Sequence, residues 1–537
     1  MFKKVDKSVM IIPAVIVVIV GLLVSLMPEG STGAISAIRN FLGNDMGVYY
    51  VVVGLGAFAL LLYFAFSKIG KIKIGKEGDK PMNTLTWGIL IFTSTMAADI
   101  LFYSFHEWTY YYNAEVLNQP VTNVATQQMW ASSYSLFHWG FIPWSFYLVL
   151  AVVYAFMFFN RGRRDKQKMS EALRPIMGKY SDKAPGKLVN IISVVGLLCG
   201  TATTFSVTTP LMTSIVCELF NLPYSKTISA IILVIIAVIY TIAVLFGSKG
   251  ISVIAKITVG FFSFMLAFFF VVGDPRYILE TGVQGIGNML ANFLRMATWL
   301  DPVRAGGASS FPQDWTIFYW AYWIAWCVAT PFFIAKISKG RTIKQILLGG
   351  GFAGLLGTFS SFIVFGGAGL HQQTSGIVDA VGMIEGGIAP AAVIIKIIQS
   401  LPASEFIMAI ILITMIGLYA STFDALTDVM SAFSYKKLDV DIAPSKSMKI
   451  YWACIFLVLP LCLLFLDSTN QLLMSISIIG AFPISIIMIL IVIAFIKDVR
   501  RYFKEKDTLL PEKTEENVQR DFVDSSEKAI LKAGNEI

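Results

Sequence analysis

The sequence contains few of the residues that metal centres and disulfide-stabilised folds require. Among its 537 residues there are three histidines and five cysteines, and only 14% of the residues are charged. The cysteines lie in apolar stretches and lack the paired spacing of zinc ligands: Cys199, Cys217, Cys327, Cys454 and Cys462. The composition therefore indicates neither a disulfide framework nor a zinc site. It also excludes an ordinary soluble domain, in which charged side chains are more frequent.

The sequence instead has apolar residues in long runs. Hydrophobic residues make up 56% of the chain. Runs of roughly 20 apolar residues, the length that crosses the hydrocarbon core, predict about twelve spans of an integral membrane protein. The predicted spans, numbered first to twelfth, are 9–28, 47–67, 85–112, 130–160, 188–220, 228–247, 251–273, 315–337, 345–370, 405–433, 449–467 and 472–497. The first is too long, and too closely followed by others, for a cleaved signal peptide.

Lysine and arginine are distributed unevenly between the loops. Most of the 42 basic residues lie near the two termini and in four loops, at 67–80, 161–168, 338–344 and 435–449. Because basic residues collect on the cytoplasmic side, this pattern predicts cytoplasmic termini in a multi-pass protein of the plasma or inner membrane. The net charge of +8 then reflects topology and contact with anionic lipid, and it does not indicate nucleic-acid binding.

The third span breaks its own apolar pattern. It contains TSTMAAD, residues 93–99, a run of small and hydroxyl side chains that ends in a carboxylate at mid-membrane depth. A charge at that depth costs ~3 kcal/mol or more on insertion scales and usually faces a cavity or a partner. Asp99 is therefore either a protonated or paired structural residue, or part of a site that this loosened helix lines.

The eighth span carries a helix breaker, Pro331, which also falls at mid-membrane depth. Interrupted helices at corresponding places of two five-helix halves are typical of inverted-repeat transporters, which bind substrate between the halves. We therefore predict an all-α membrane protein with a leucine-transporter-like fold. Its third to seventh and its eighth to twelfth spans form the two inverted repeats.

This fold divides the chain into five parts. They are two peripheral helices with the N-terminus, the first repeat, an outer loop, the second repeat and a charged tail, at 1–84, 85–273, 274–314, 315–497 and 498–537. In the outer loop, GVQGIGNMLANFLRMATWLDP has the apolar spacing of an amphipathic surface helix, although a loop that covers the helix ends is the alternative. The mixed charges of the tail predict a partly disordered or loosely helical segment.

Aromatic residues are concentrated on one face of two spans. In the fourth span, HWGFIPWSFY places three rings within roughly 140° of helix surface, namely Trp139, Trp144 and Tyr147. In the eighth span, FYWAYWIAWC places four rings within about 100° and a fifth beside them, namely Tyr319, Tyr322, Trp323, Trp326 and the adjacent Trp320. Either stripe alone is typical of core packing or an interfacial belt. Together with the broken helices, they favour a cage for a quaternary ammonium group, which aromatic faces attract and which has no N–H to satisfy.

The same stretches carry a resemblance to a known family. SLFHWGFIPWSFY, GTATTFSVTTPL, NFLRMATWLDP and DWTIFYWAYWIAW, the last followed by FFIAKISKGRTIK, closely resemble the betaine/carnitine/choline transporter family over about residues 87–498. The resemblance implies twelve helices, a homotrimer and an aromatic box that falls on Trp139, Trp144, Tyr147 and Trp323. The resemblance also implies a role for Trp320 and Trp326. They match family tryptophans that line the substrate's route to the cytoplasm or pack against the aromatic box. Tyr322 stands where most members have another tryptophan.

The third span departs from the pattern that the resemblance implies. Where many members have G-M-G-I-G, this chain has TMAAD at 95–99. Some choline-type members have aspartate at the last of these positions, where it is associated with choline as substrate and with protons as the driving ion. We therefore assign Met96 and Asp99 to the expected substrate site.

The tenth span offers a different site for a coupling ion. Ser421 and Thr422 match two hydroxyl ligands of sodium-coupled members, and Asp424 matches a nearby aspartate. The alternative for these hydroxyls is a bond to the preceding helical turn. FHEWTYYY, YSLFHWG and TTPLMT look most like the sodium-independent carnitine/γ-butyrobetaine exchangers. The arginine and methionine that replace sodium in those exchangers are Thr258 and Thr330 here.

The resemblance implies a secondary active transporter for a trimethylammonium compound such as glycine betaine, carnitine or choline. Sodium- or proton-coupled symport is expected, with substrate/product exchange as the alternative and no cofactor besides the coupling ion. An enzyme would need a nucleophile, an acid/base pair or a metal beside the cage, and the sequence shows no such set. A non-transporting receptor is the remaining class, and accumulation of labelled substrate in vesicles separates it from a carrier.

Overall fold

Helices form the regular structure of the chain. The computed structural model describes residues 5–93, 98–119, 123–246, 248–304, 310–465 and 470–509. Within these ranges there is no β-strand, and only isolated bridges join extended residues, such as Lys73 with Thr342. The prediction of an all-α membrane protein is confirmed.

The helices follow the predicted spans closely. Those before the first half are Lys7–Leu26, Pro28–Arg39 and Gly47–Phe66. Those of the first half are Thr84–Thr93, Asp99–His106, Thr109–Tyr112, Val124–His138, Phe141–Phe159, Ala184–Leu219, Lys226–Phe246 and Ser248–Val272. The outer loop holds Pro275–Ala291 and Phe293–Thr298. The second half holds Ile317–Trp326, Thr330–Ile337, Gly350–Ser361, Gly367–Thr374, Ala380–Glu385, Pro390–Gln399, Ser404–Phe433, Lys446–Phe465 and Asn470–Leu509.

Length and apolar composition pick out the spanning helices. Among the described residues, eight helices pass as membrane spans by themselves, or up to ten if bent pairs are included. The predicted spans outside the eight are the third, sixth, seventh and eighth. The seventh and eighth belong to the two bent pairs, the sixth is a shorter apolar helix, and the third is described in two pieces on either side of residues 94–97.

Two predicted spans are interrupted within the described residues. In the third span the described helices are Thr84–Thr93 and Asp99–His106, and residues 94–97 between them lie outside the described residues. In the eighth, Pro312–Trp326 and Thr330–Ile337 meet at 55°, and Pro331 lies in the first turn of the second piece, where its missing N–H costs nothing. The fourth span is interrupted at Gly140, where a Cβ atom would lie 2.5 Å from the Leu136 carbonyl oxygen.

The outer loop forms a helix that covers the fourth span. Pro275–Ala291 turns by 105° from the end of the seventh span, and the Asp274 carboxylate caps it by accepting from the Arg276 and Tyr277 amides at 3.1 and 3.2 Å. The Tyr277 hydroxyl donates to Gln128 Oε1 at 2.6 Å. The helix therefore lies across the fold and not along a membrane normal.

The basic segments meet on one face of the molecule. Lys168 Nζ lies 3.0 Å from Asp6 Oδ2, and the Ile74 amide donates to the Arg341 carbonyl at 2.8 Å. The Leu438 amide donates to the Asp165 carbonyl at 2.7 Å. The N-terminus and all four basic loops therefore lie on the same side, as the predicted topology requires.

The last helix extends beyond its predicted span and is fastened to the same face. Arg161 Nε lies 3.0 Å from Asp498 Oδ1, and Arg161 Nη1 lies 2.6 Å from Glu505 Oε2. Arg163 also bonds Asp498. The described part of the tail is thus helical through Leu509, and its first carboxylates bind the loop after the fourth span.

Replacing Arg161 by glutamine should release this extension. Hydrogen bonds from Arg161 and Arg501 lower the pKa of Glu505 to about 2. Because the folded-state pKa is depressed, the attachment should be present at neutral pH, persist below the ordinary glutamate pKa, and be lost as pH falls through about 2. We expect faster amide exchange over 498–509 in Arg161→Gln. Arg501→Gln, which removes only the pair within the helix, is the control, and equal exchange in both variants would contradict the attachment.

Candidate functional site

Four aromatic side chains from the fourth and eighth spans converge on one point. Trp323 is at the centre, with its ring centroid 5.6 Å from Trp139, 5.5 Å from Trp144 and 4.8 Å from Tyr147. Trp144 and Tyr147 also contact each other edge to face, at 6.0 Å. The structure therefore brings together the residues that the resemblance assigned to the box. We call this set the aromatic cluster.

The cluster is closed in this conformation. All four side chains are buried, none more than 3% exposed, and the contacts of Trp139 and Trp144 with Trp323 are edge to face. In such contacts the positive edge of one ring lies on the negative face of another. A trimethylammonium group also prefers the face of an aromatic ring, within about 6 Å of the ring centroid. To bind such a group, the rings would have to separate, so that the cation replaces the ring edge that now lies on the face of its neighbour.

Helix breaks and small residues make room for the cluster. Trp139 lies between the helices Val124–His138 and Phe141–Phe159, so its indole is not held to a regular helical direction. Gly354 of the ninth span faces Trp144, and a Cβ atom at Gly354 would lie 2.5 Å from the indole. Any larger residue at that position would displace Trp144.

A buried carboxylate fixes the position of Trp139. The indole Nε1 donates to Glu107 Oε2 at 2.7 Å, and the Tyr111 hydroxyl donates to Glu107 Oε1 at 2.7 Å. Tyr111 in turn lies 2.9 Å from His138 Nδ1, and His138 Nε2 lies 3.0 Å from the Thr316 hydroxyl. Since Tyr111 donates to Glu107, we assign His138 Nδ1 as the donor to Tyr111 and Nε2 as the acceptor from Thr316.

Sequence reasoning missed Glu107 as a site residue. Its one signal was a carboxylate in FHEW, within an apolar span, next to the break at residues 93–99. In the structure Glu107 is fully buried and joins the third span to the fourth through Trp139. It acts on the cluster as a positioning residue.

The other tryptophans of the eighth span pack beside the cluster. Trp320 lies against Gly54 of the second span, where a Cβ atom would be 2.9 Å from the indole. Trp326 lies against Gly200 of the fifth span, with a Cβ atom there 3.6 Å from Trp326 Nε1. Trp320 therefore braces the eighth span from outside, while Trp326 faces the first half.

Several buried indole N–H groups have no hydrogen-bond partner. In the described part of the chain these are Trp144, Trp299, Trp320, Trp323 and Trp326. An unpaired buried donor costs about 1–3 kcal/mol. Two of the five belong to the aromatic cluster, so the cluster offers N–H donors that an acceptor on a bound molecule would satisfy.

Asp99 and Tyr322 are direct partners. The Tyr322 hydroxyl donates to Asp99 Oδ2 and hydrogen-bonds the Thr204 hydroxyl, and all three side chains are buried. Because Tyr322 donates to Asp99, it accepts from Thr204. The two positions at which the chain departs from the family pattern are therefore in contact. Met96, assigned to the same site, lies outside the described residues.

The predicted ion ligands lie beside the third span. The Ser421 hydroxyl donates to the Leu418 carbonyl oxygen of its own helix at 3.0 Å and lies 3.5 Å from the Thr93 carbonyl oxygen. Thr422 is buried next to it. The bond to the preceding helical turn is therefore present at Ser421, and the Thr93 carbonyl places a second oxygen beside its hydroxyl.

The remaining coupling residues are placed as follows. Asp424 Oδ1 lies 3.1 Å from Lys449 Nζ, so this carboxylate is paired with a lysine of the eleventh span. Thr258 packs against Gly417, where a Cβ atom would lie 1.9 Å from the Thr258 hydroxyl. Gly417 is one helical turn before Ser421, so the position that holds arginine in the exchangers is adjacent to the proposed ion ligands.

Comparison with known proteins agrees with this geometry. The sequence model of the betaine/carnitine/choline family transporters (BCCT) matches residues 8–504. An uncharacterized transporter of Escherichia coli strain K12, YeaV, is 27% identical over 444 residues, which cover 82% of this chain and 90% of that protein. The family resemblance of the sequence is thereby confirmed across nearly all the described residues.

Removing the Glu107 carboxylate should loosen the cluster. Glu107→Leu leaves the Trp139 and Tyr111 donors without an acceptor, at about 1–3 kcal/mol each. Glu107→Gln keeps one acceptor oxygen and should lie between this variant and the wild type. We expect that order in thermal unfolding of the purified protein in detergent. Glu385→Leu, at an exposed glutamate that accepts from Asn113, is the control, and an unchanged unfolding temperature for Glu107→Leu would exclude the positioning role.

Proposed function

The chain belongs to the betaine/carnitine/choline transporter family, and on this premise we propose that it takes up a trimethylammonium compound by secondary active transport. Family membership makes the protein a membrane transporter of a small molecule and not an enzyme. The observation that carries the proposal is the aromatic cluster, in which three rings surround Trp323.

The chemistry of the cluster favours a methylated ammonium group. Such a group has no N–H, so a wall of hydrogen-bond acceptors gains nothing from it, whereas aromatic faces attract its charge by up to about 2 kcal/mol each when desolvated. The polar end of the substrate would accept from the Trp144 and Trp323 indoles, which have no partner among the described residues. Glycine betaine, carnitine and choline all have both parts.

For coupling we propose sodium symport as the first candidate. The Ser421 hydroxyl and the Thr93 carbonyl lie 3.5 Å apart, and oxygen ligands suit a hard cation. A cation between them would tie the tenth span to the third. Ion binding would thus favour one arrangement of the two halves over the other. Alternating access requires such a difference between the two arrangements.

Proton symport is the second candidate, and the contact between Asp99 and Tyr322 favours it. Tyr103 lies beside this pair, with its ring centroid 6.4 Å from Tyr322 and 5.6 Å from Trp139. A change of charge on Asp99 would therefore alter the electrostatic potential at Tyr103, whose ring contacts Trp139 of the aromatic cluster. In this alternative Asp99 also serves as the acceptor for a choline hydroxyl. Substrate/product exchange remains as a third mode.

Ion pairs lie toward both faces of the proposed pathway. On one side Arg39 bonds Asp314 ahead of the eighth span. On the basic side Lys336 lies 3.0 Å from Asp428, and Lys449 lies 3.1 Å from the same carboxylate. We propose that these pairs open in turn as the halves rock. The basic face is then cytoplasmic, in the plasma or inner membrane, and the assembly is the homotrimer that the family resemblance implies.

Uptake into proteoliposomes tests the function. Labelled choline, carnitine and glycine betaine are each offered under an inward sodium gradient, an inward proton gradient or counterflow alone. Accumulation of at least one of them supports a carrier. Binding of substrate without accumulation under any condition would indicate a receptor and contradict the proposal.

Trp323→Ala should abolish uptake while the protein still inserts and is expressed. The substitution removes the ring that touches all the others, and each lost cation contact is worth about 2 kcal/mol in a desolvated site. Trp323→Phe keeps an aromatic face and should retain part of the activity. Trp130→Ala, at a buried tryptophan of the fourth span outside the cluster, is the matched control. Near-normal affinity in Trp323→Ala would exclude the cluster as the site.

Substitutions of the two ion candidates should separate the coupling modes. We expect Ser421→Ala and Thr422→Ala to raise the sodium concentration for half-maximal uptake about tenfold, the effect of losing about 1.4 kcal/mol of ligand free energy. Asp99→Asn should leave the sodium dependence in place. If instead the hydroxyl variants behave as wild type and Asp99→Asn abolishes proton-driven uptake, the second candidate replaces the first.

A further inference from the structure

A large groove lies away from the aromatic cluster. It has a volume of about 770 Å³ and runs between the third, seventh and ninth spans, from Arg341 at the basic face to Leu418 deep in the fold. The wall of the groove is apolar. The groove opens on the surface of the molecule, where Phe352 is 71% and Leu356 is 61% exposed. The groove therefore faces the membrane interior and not the proposed substrate pathway.

The end of the groove at the basic face has an unusual arginine. Arg341 is only 5% exposed, and its guanidinium lies 4.0 Å above the ring of Trp87. Nη2 donates to the Met82 carbonyl at 2.8 Å, but Nε is buried without a hydrogen-bond partner among the described residues. Burial lowers the pKa of Arg341 from its ordinary value. An anion beside this guanidinium would offset part of its desolvation and would accept from a donor that is unused.

The described residues supply no such anion to the groove. Lys344 and Gln345 line the same end, and no carboxylate is among the described residues that line it. In the segment ahead of the third span, Asp79 is bound to Lys339 at 3.0 Å. Lys344 is exposed, and its Nζ lies 5.2 Å from the ring centroid of Phe66. The end of the groove is therefore a positively charged mouth above an apolar channel.

We propose that this groove binds an anionic phospholipid. The phosphate accepts hydrogen bonds from Arg341 and Lys344, and an acyl chain lies along Phe92, Phe262 and Phe352 toward Leu418. A free phosphate matches the mouth but not the apolar wall, and a zwitterionic lipid does not neutralise the two cations. The lipid site is separate from the aromatic cluster. The proposal of a bound lipid therefore does not depend on which substrate the aromatic cluster binds.

A lipid in this groove packs against the helix Thr84–Thr93. The Thr93 carbonyl lies beside Ser421, and Thr93 itself lines the inner end of the groove. The acyl chain therefore contacts the part of the third span that lies beside the proposed ion ligands.

Native mass spectrometry of the delipidated full-length protein tests the site. Dioleoylphosphatidylglycerol is titrated against dioleoylphosphatidylethanolamine, which has the same acyl chains. Phosphatidylcholine is avoided, because its trimethylammonium headgroup is itself a candidate for the aromatic cluster. We expect at least one more phosphatidylglycerol than phosphatidylethanolamine to be retained, together with a higher unfolding temperature. Glycerol 3-phosphate is added in a separate arm, and equal stabilisation by it would show an anion site without a lipid and overturn the proposal.

Substitutions at the mouth and along the wall locate the bound lipid. Lys344→Glu, at an exposed side chain, should weaken phosphatidylglycerol retention about fivefold or more, as expected for a basic residue at a lipid surface. Lys183→Glu, at an exposed lysine just before the helix Ala184–Leu219, should have no effect. Arg341→Gln changes the charged mouth of the groove and Leu356→Trp changes its apolar wall. Each substitution should reduce the retention of phosphatidylglycerol. Equal retention in Lys344→Glu and Lys183→Glu, or equal retention of both lipids by the wild type, would overturn the proposal.

Discussion

The constraint on which the structure depends is the absence of water in the hydrocarbon core. There every backbone N–H and C=O group must be paired within the protein, so a break in a helix is tolerated only where it is buried or lines a cavity. This chain breaks its fourth span at Gly140 and its eighth between Trp326 and Thr330. The aromatic cluster lies beside these breaks.

The cluster is held in position by polar groups outside it. Trp139 is anchored through Glu107, and Glu107 is tied by Tyr111 to His138 and Thr316. Each of these groups is buried, so each bond replaces one that water cannot supply. The two hydrogen bonds that Glu107 accepts offset part of the cost of burying its carboxylate and hold the Trp139 indole in place.

Asp99, Tyr322 and Thr204 form one hydrogen-bonded set of buried side chains. A tryptophan at position 322 could donate through Nε1 but could not accept from Thr204, whereas the tyrosine hydroxyl does both. The aspartate and the tyrosine therefore form a set with Thr204. This set lies on the other side of Tyr103 from Trp139, close enough to influence the cluster without being part of its wall.

The sequence by itself determined the class, the helices and most of the cluster. Span length follows from bilayer thickness, and the aromatic stripes at Trp139 and Trp323 follow from helical periodicity, so both are local properties. Tertiary structure alone decided which buried groups meet. The bond from Trp139 to Glu107, the pairing of Asp424 with Lys449 and the attachment of Asp498 to Arg161 depend on helix rotation and depth. Rotation and depth are set by packing between distant helices, and no short stretch of sequence records them.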